Sequence, residues 1–415
     1  MGKFLINGGK KLYGSVKIER SKNAVLPMIA GAILTSDEVL IEDCPKIDDV
    51  YTMIDILKDL GVKATFIESG LLINSSGINS YSINKKLSKK LRSSIFLIGP
   101  LISRLKKAIF SLPGGCDIGE RPIDIHIDSL KKIGVSFSNS GEDFFCCAEK
   151  LTPNKISLKY PSVGATENAI MASIFINGET IVDNVAKEPE VYDLINFLNS
   201  MGAEIYGAGT SRVVIKGVKK LHGIRYKPIY DRIEAGTFIL AVALTGGNIQ
   251  LKGVDYKNIC CLTDKFNDNT CKIGYSNDII YLESGESRNC FSFDTGPHPA
   301  FPTDLQAQTT AYLTVANGTS YVTETVFENR FKYITELKKM GADVKVVNNT
   351  AIVKGVKELN GAKVNSLDLR GGASLVLAGL VANGKTEVYG IEHILRGYSN
   401  FDGKLRSLGA EITKV

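Results

Sequence analysis

Six times along this chain an amphipathic segment runs into a glycine-centred break and then a short strand-like stretch. The copies read IDILKDLGVKATF, IDSLKKIGVSFS, LINFLNSMGAEIYG, LTDKFNDNTCKIGY, ITELKKMGADVKV and DGKLRSLGAEITKV. Their breaks fall at Gly61, Gly134, Gly202, Thr270, Gly341 and Gly409, so successive spacings are 73, 68, 68, 71 and 68 residues. A sixfold period of roughly 70 residues marks a repeat architecture. It is too long for the common helical solenoids, so each repeat reads as a compact α+β unit. The fourth copy lacks the Leu-Gly signature and is included on register.

Ahead of each amphipathic segment lies an almost wholly apolar one: AVLPMIAGAIL from Ala24, SIFLIGPLIS from Ser94, NAIMASIFI from Asn168, TFILAVAL from Thr237, QAQTTAYLTVA from Gln306 and SLVLAGLVA from Ser374. A helix apolar on nearly all sides has to be buried. None reaches the ~20 residues that span a bilayer, so these are core helices and no membrane association is expected. Strand-like stretches such as EVLIED, ETIVDN, GNIQLKG, TSYVTET and KTEVYG follow. The fold class is therefore α/β, each unit reading strand, buried helix, strand, amphipathic helix, strand pair. At 415 residues, six repeats divide into two sets of three, with a boundary near His222 to Pro228. Residues 22–228 would form one domain; residues 1–21 with 229–415 would form the other, the opening strands packing with the sixth repeat so that the chain crosses twice.

Composition narrows the function classes. The net charge is +6 with Lys and Arg spread along the chain, which reads as a solvated surface and not a nucleic-acid groove. MGKFLINGGKKL has no long apolar core with a small-residue cleavage site, so no signal peptide is expected. The eight cysteines include the pairs Cys146-Cys147 and Cys260-Cys261 but no CxxC spacing, and none of the four histidines stands in HExxH. Structural zinc is not expected, and reduced thiols in the cytoplasm are.

The residues before the buried helices are polar or small: Ser21-Lys22-Asn23, Arg92-Ser93, Ser162-Val163-Gly164, Asp231-Arg232, Thr303-Asp304 and Asp368-Leu369-Arg370. Helix N-termini carry unpaired N–H groups and partial positive charge, and so attract anions. Three in each domain, lining a cleft, would suit a substrate with several phosphates or carboxylates. Ser, Asp and Thr there are equally expected as ordinary N-caps. Lys22 and Arg92 fit that plainer reading poorly, because a cation at a helix N-terminus opposes the dipole unless an anion sits between.

The segment SLPGGCDIGERPIDIH, Ser111 to His126, places Cys116 beside Arg121 in a glycine-rich stretch with Asp117, Glu120 and Asp124. A structural cysteine packs in an apolar run. A thiol near a guanidinium in a polar loop is a better candidate for a functional thiolate or proton donor.

Together LPGGCDIGERPID, the Lys22-Asn23 pair, SVGATENA, YDRIEAGTF, PHPAFPTDLQAQ, TETVFENRF, DLRGGASLVLAG and HILRGY resemble the enolpyruvyl transferase family of bacterial cell-wall synthesis, from about residue 3 to the C-terminus. That resemblance implies a two-domain inside-out α/β barrel, a prism of six βαβαββ repeats with three per domain and the active site in the interdomain cleft. It implies transfer of the enolpyruvyl group of phosphoenolpyruvate to the 3′-hydroxyl of UDP-N-acetylglucosamine with release of phosphate. The enzyme would need no cofactor or metal, would act as a monomer or weak homo-oligomer, and would be the target of fosfomycin. Cys116 would protonate the methylene carbon and can carry a covalent adduct; Asp304 would take the hydroxyl proton. Lys22, Asn23, Arg121, Arg370 and Arg396 would hold phosphoenolpyruvate. The nucleotide sugar would meet Asn23, Arg92, Arg121, Pro122, Ile123, Asp124, Ile125, Ser162, Val163, Gly164, Asp304 and Val326.

Two departures stand out. Arg20 occupies a position where relatives carry Gly, which would change backbone freedom or add a cation near the cleft, and Tyr160 stands where some carry Lys. The alternatives are transfer to shikimate 3-phosphate by a sister enzyme, a noncatalytic UDP-sugar-binding paralogue, and an RNA-terminal enzyme of related repeats. The cysteine loop, the retained charge set and the lack of an activating histidine motif count against each in turn.

Overall fold

A computed structural model describes residues 2–114, 122–266, 269–285 and 287–415. The chain divides into two compact units, residues 20–114 with 122–229 and residues 2–19 with 230–415. Each has its own apolar core, from Ala24 to Leu221 in one, and in the other from Phe4 to Ile18 and Ile233 to Ile412.

The all-round apolar segments are helices at the centre of these cores: Lys22–Gly31 and Val163–Ser173 in the first unit, Arg232–Thr245, Thr303–Leu313 and Leu369–Val381 in the second. The stretch from Ser94 departs from expectation. It begins as a 3-10 helix, Arg92–Leu97, and turns α-helical only over Ile98–Leu105. Pro100 explains the start. Proline fits a first helical turn, where its missing N–H would have no partner.

The amphipathic segments form Asp48–Asp59, Asp124–Lys132, Pro189–Ser200, Ile334–Lys339 and Phe401–Ser407. After each, the break glycine takes a left-handed conformation, with φ of 86° at Gly61, 97° at Gly134, 99° at Gly202, 93° at Gly341 and 98° at Gly409. A residue with a Cβ is strained there, which is why glycine recurs at helix ends. The fourth segment keeps one short helix, Cys260–Thr263.

Among the described residues each unit holds three small sheets. Lys3–Asn7 pairs antiparallel with both Lys385–Tyr389 and Glu411–Lys414, joining the sheet of the sixth segment. Leu12–Lys17 does not follow it there. It pairs parallel with Gly247–Lys252, the chain having turned through Gly8 to Lys11 with Gly9 at φ 87°. Arg20 also departs from expectation. It is 5% exposed, and its guanidinium donates to the Pro228 carbonyl at 2.9 Å and to Asp43 at 3.2 Å, so it ties a segment end to the core of its unit.

Candidate active site

In the unit of residues 20–114 and 122–229, Lys22 and Asn23 open the helix Lys22–Gly31, whose N-cap Ser21 makes no side-chain cap. The ammonium that would oppose the dipole has a partner: Lys22 Nζ lies 2.9 Å from Asp49 Oδ2, with 13% and 5% of the side chains exposed. Asp49 comes from the first turn of the next helix, Asp48–Asp59, where an acid is favoured by the dipole. Sequence reading missed Asp49, because nothing local marks it as the counter-ion of a residue 27 positions earlier.

Arg92 opens the 3-10 helix and donates to the Pro113 carbonyl at 3.2 Å, while Gly114 N–H donates to the Ser88 carbonyl at 3.1 Å. These bonds fix the chain up to residue 114. Cys116 and Arg121 lie outside the described residues. Beyond them Pro122 is exposed, Ile123 buried, and Asp124 and Ile125 start the helix Asp124–Lys132 with Asp124 at its favoured N-terminal end.

Ser162 caps Val163–Ser173, its Oγ accepting from Ala165 N–H at 3.4 Å, and Val163 and Gly164 form the first turn, partly exposed. The Tyr160 carbonyl accepts from Ser162 N–H at 2.7 Å, so Tyr160 shapes the turn through its backbone while its side chain stays 39% exposed. The capping reading thus holds at Ser162. It holds also at Asp231 and Asp368, each of which accepts two backbone N–H groups.

It fails at Asp304. The N-cap of Thr303–Leu313 is Pro302, and the Asp304 carboxylate faces two guanidiniums instead: Oδ1 accepts from Arg330 Nη2 and Oδ2 from Arg370 Nη2, each at 2.9 Å. Both arginine side chains are 4% exposed, against 26% for Asp304. Burial works against the charge of Arg370, but Asp304, Tyr398 and Asp231 outweigh it and hold the guanidinium above its ordinary value. Arg370 also lies 5.5 Å from the Tyr398 ring centroid, and Arg330 5.5 Å from that of Phe327.

The N-terminal halves of the three buried helices meet here. Gln308 donates to Thr237 and to Tyr398 at 3.3 and 3.1 Å, and the Thr237 and Tyr398 hydroxyls are 2.8 Å apart. Buried Glu324 accepts from Val326 N–H at 2.8 Å and from the Thr303 hydroxyl at 2.9 Å, pinning Val326 beside the start of the Asp304 helix. Arg396 closes the short helix Glu392–Leu395 and is partly buried. Arg330, Glu324 and Tyr398 carried no assignment from sequence. Arg330 and Tyr398 act through partners far away in the chain, and Glu324 joins near neighbours to the distant Thr303, which spacing cannot show.

The arrangement offers paired cations, fixed carboxylates and helix N-termini, which is chemistry for anionic substrates. The family model for EPSP synthase (3-phosphoshikimate 1-carboxyvinyltransferase) matches residues 6–405. UDP-N-acetylglucosamine 1-carboxyvinyltransferase 2 of Caldanaerobacter subterraneus subsp. tengcongensis is 47% identical over 416 residues, all of both chains. UDP-N-acetylglucosamine 1-carboxyvinyltransferase 1 of Clostridium acetobutylicum is 45% identical over 421 residues, again all of both. Among solved structures, the enolpyruvyl transferase NikO from Streptomyces tendae superposes with a TM-score of 0.91 at 24% identity, over 100% of this chain and 99% of that one. An EPSP synthase from Acinetobacter baumannii gives 0.75 at 18% over the whole of both chains. These two likenesses bear on the fold alone.

Proposed function

Because the chain belongs to the EPSP synthase family, we propose that it transfers the enolpyruvyl group of phosphoenolpyruvate to the 3′-hydroxyl of UDP-N-acetylglucosamine, releasing phosphate, as an early step of peptidoglycan precursor synthesis. The observation that carries the choice of acceptor is identity over the whole chain. Relatives named for UDP-N-acetylglucosamine share 42–47% of positions, while the EPSP synthases share 17–18%. The six small sheets, three to a unit, support the reading of six βαβαββ repeats.

In this reading Cys116 gives its proton to the methylene carbon of phosphoenolpyruvate, which makes the neighbouring carbon electrophilic. The sugar 3′-oxygen bonds to that carbon and its proton passes to Asp304. The tetrahedral adduct then loses phosphate as the methyl carbon returns a proton to the Cys116 thiolate, and the enol ether forms. Lys22, Arg121, Arg370 and Arg396 balance the substrate's charge. Arg330 and Arg370 orient Asp304 and stabilise its negative charge. An anion brought to Arg370 would share that guanidinium and loosen its hold on Asp304, coupling the base to the arrival of phosphoenolpyruvate.

The test is release of phosphate from purified protein with each substrate omitted in turn, and with shikimate 3-phosphate offered as the other acceptor. Release only when phosphoenolpyruvate and UDP-N-acetylglucosamine are together is the expected result. Release with shikimate 3-phosphate, or none with either acceptor, would overturn the proposal.

A further inference from the structure

Asn168 lies in the second turn of the helix Val163–Ser173 and is fully buried. The backbone fixes the orientation of its amide at both ends. Gly99 N–H donates to Oδ1 at 2.8 Å, and Nδ2 donates to the Ile95 carbonyl at 2.9 Å. A flipped amide would set donor against donor at Gly99 and acceptor against acceptor at Ile95. The remaining Nδ2 hydrogen is therefore directed at His126 Nδ1, 2.9 Å away. A ring nitrogen that accepts carries no hydrogen, so the hydrogen of the neutral imidazole sits on Nε2. That edge of the ring packs on Gly164. A Cβ built there would lie 3.0 Å from His126 Cε1 and 3.3 Å from Nε2.

We infer that Asn168 is a positioning residue: it locks His126 as the Nε2–H tautomer, so that the ring presents a hydrogen-bond donor to the diphosphate of the nucleotide sugar beside the first turn of Val163–Ser173. The inference rests on the function proposed above, which brings the nucleotide sugar to Ser162, Val163 and Gly164. The physical reason is sign. At this helix end the backbone N–H groups and the dipole favour an anion. The other tautomer would turn a lone pair toward the phosphate oxygens and oppose them. His126, 8% exposed and held by a fully buried amide, has little freedom to turn its other edge inward.

The experiment has two independent arms. Nitrogen-15 spectra of the histidine rings read the tautomer directly. The wild type should show the His126 hydrogen on Nε2, and Asn168→Asp, whose carboxylate can only accept, should move it to Nδ1. Kinetics read the consequence. His126→Gln keeps an amide donor near the Nε2 position and His126→Asn does not. His126→Asn and Asn168→Asp should each raise KM for UDP-N-acetylglucosamine about tenfold or more, as loss of a hydrogen bond to a charged group does. Turnover should change less than about twofold, and His126→Gln should stay close to wild type. Should Asn168→Asp fail to fold, the wild-type spectrum and the His126 pair decide. A wild-type ring with its hydrogen on Nδ1, or equal KM for the Gln and Asn variants, overturns the inference. Calorimetric affinity for UDP reads the same donor without turnover. A wild type that releases no phosphate but binds UDP with this variant pattern would sink the proposed function and leave the tautomer lock standing.

Discussion

Asp304 is the residue whose surroundings say most about what it does. Its two oxygens are each taken by a buried arginine, so removing the carboxylate takes from two guanidiniums, each 4% exposed, the anionic acceptor they share. Breaking a buried ion pair from one side costs about 3–5 kcal/mol, several times the loss of a helix cap. Asp304→Ala should therefore lower stability by about 3 kcal/mol and turnover by ~10²–10⁴. Asp304→Asn, which keeps the shape and one acceptor, should recover part of the stability and little of the turnover. Chemical denaturation and phosphate release measure the two effects separately. An alanine variant as stable as wild type would contradict the double ion pair; one that turned over normally would remove Asp304 from the chemistry. Sequence singled out Asp304 and Arg370 by resemblance, but not their junction with Arg330. The partners stand 26 and 66 positions away, and only the fold joins them.

At the scale of elements, the legible part was what local chemistry dictates. Left-handed glycines at five helix ends, helices apolar on every side and the strands that follow them all leave a pattern in sequence. The start of the second buried helix was misread because periodicity does not distinguish a 3-10 turn from an α one, and Pro100 decides where the α turn begins. The opening strands were half legible. Their composition says strand, but partner choice is settled by packing at a distance. Helix Val163–Ser173 also contains a residue that apolar patterning passes over. Glu167 is fully buried with neither carboxylate oxygen hydrogen-bonded among the described residues, and burial, then Glu190 and Glu188, push its carboxyl well above the ordinary value of 4.5. Folding therefore favours the protonated form. The sign follows from linkage: stability is fully present below about 4.5, the unfolded value, and declines as pH rises toward the raised folded value. Glu167→Gln copies the neutral acid and should remove that slope. The variant should match wild type near pH 4.5 and exceed it by about 1–3 kcal/mol at pH 8 in urea denaturation. A wild type whose stability is flat across this range, or a Gln variant weakened equally at both ends, would show that Glu167 is solvated in a way its burial denies.

At the scale of the molecule, the proposed chemistry draws on both units, with Lys22 and Ser162 from one and Asp304 and Arg396 from the other. One measurable consequence concerns Cys116, the proposed proton donor. Three of the other thiols are poor competitors for an electrophile. Cys44, Cys146 and Cys271 are buried, and burial pushes the latter two up to about 12, so they stay protonated near neutral pH. Cys147 is exposed and serves as the internal control, since a neutral alkylating reagent should reach it readily. Fosfomycin is an anionic phosphonate epoxide, and capture by the cations proposed for phosphoenolpyruvate should direct it to Cys116 in preference to Cys147. The nucleotide sugar is proposed to engage Pro122 to Ile125, immediately after the cysteine segment, as well as Asp304 of the other unit. Binding of the nucleotide sugar beside the proposed thiol favours reaction by bringing the reacting groups together. UDP-N-acetylglucosamine should therefore accelerate labelling of Cys116 while leaving Cys147 unchanged. Intact mass against time, with and without the sugar nucleotide, followed by peptide mapping, gives both rates. Slower labelling of Cys116 with the sugar bound would mean that the nucleotide covers the thiol, and the assignment of Pro122 to Ile125 would have to be redrawn. Cys116→Asp should end labelling yet keep a proton donor in place, so part of the phosphate-releasing activity should survive the change.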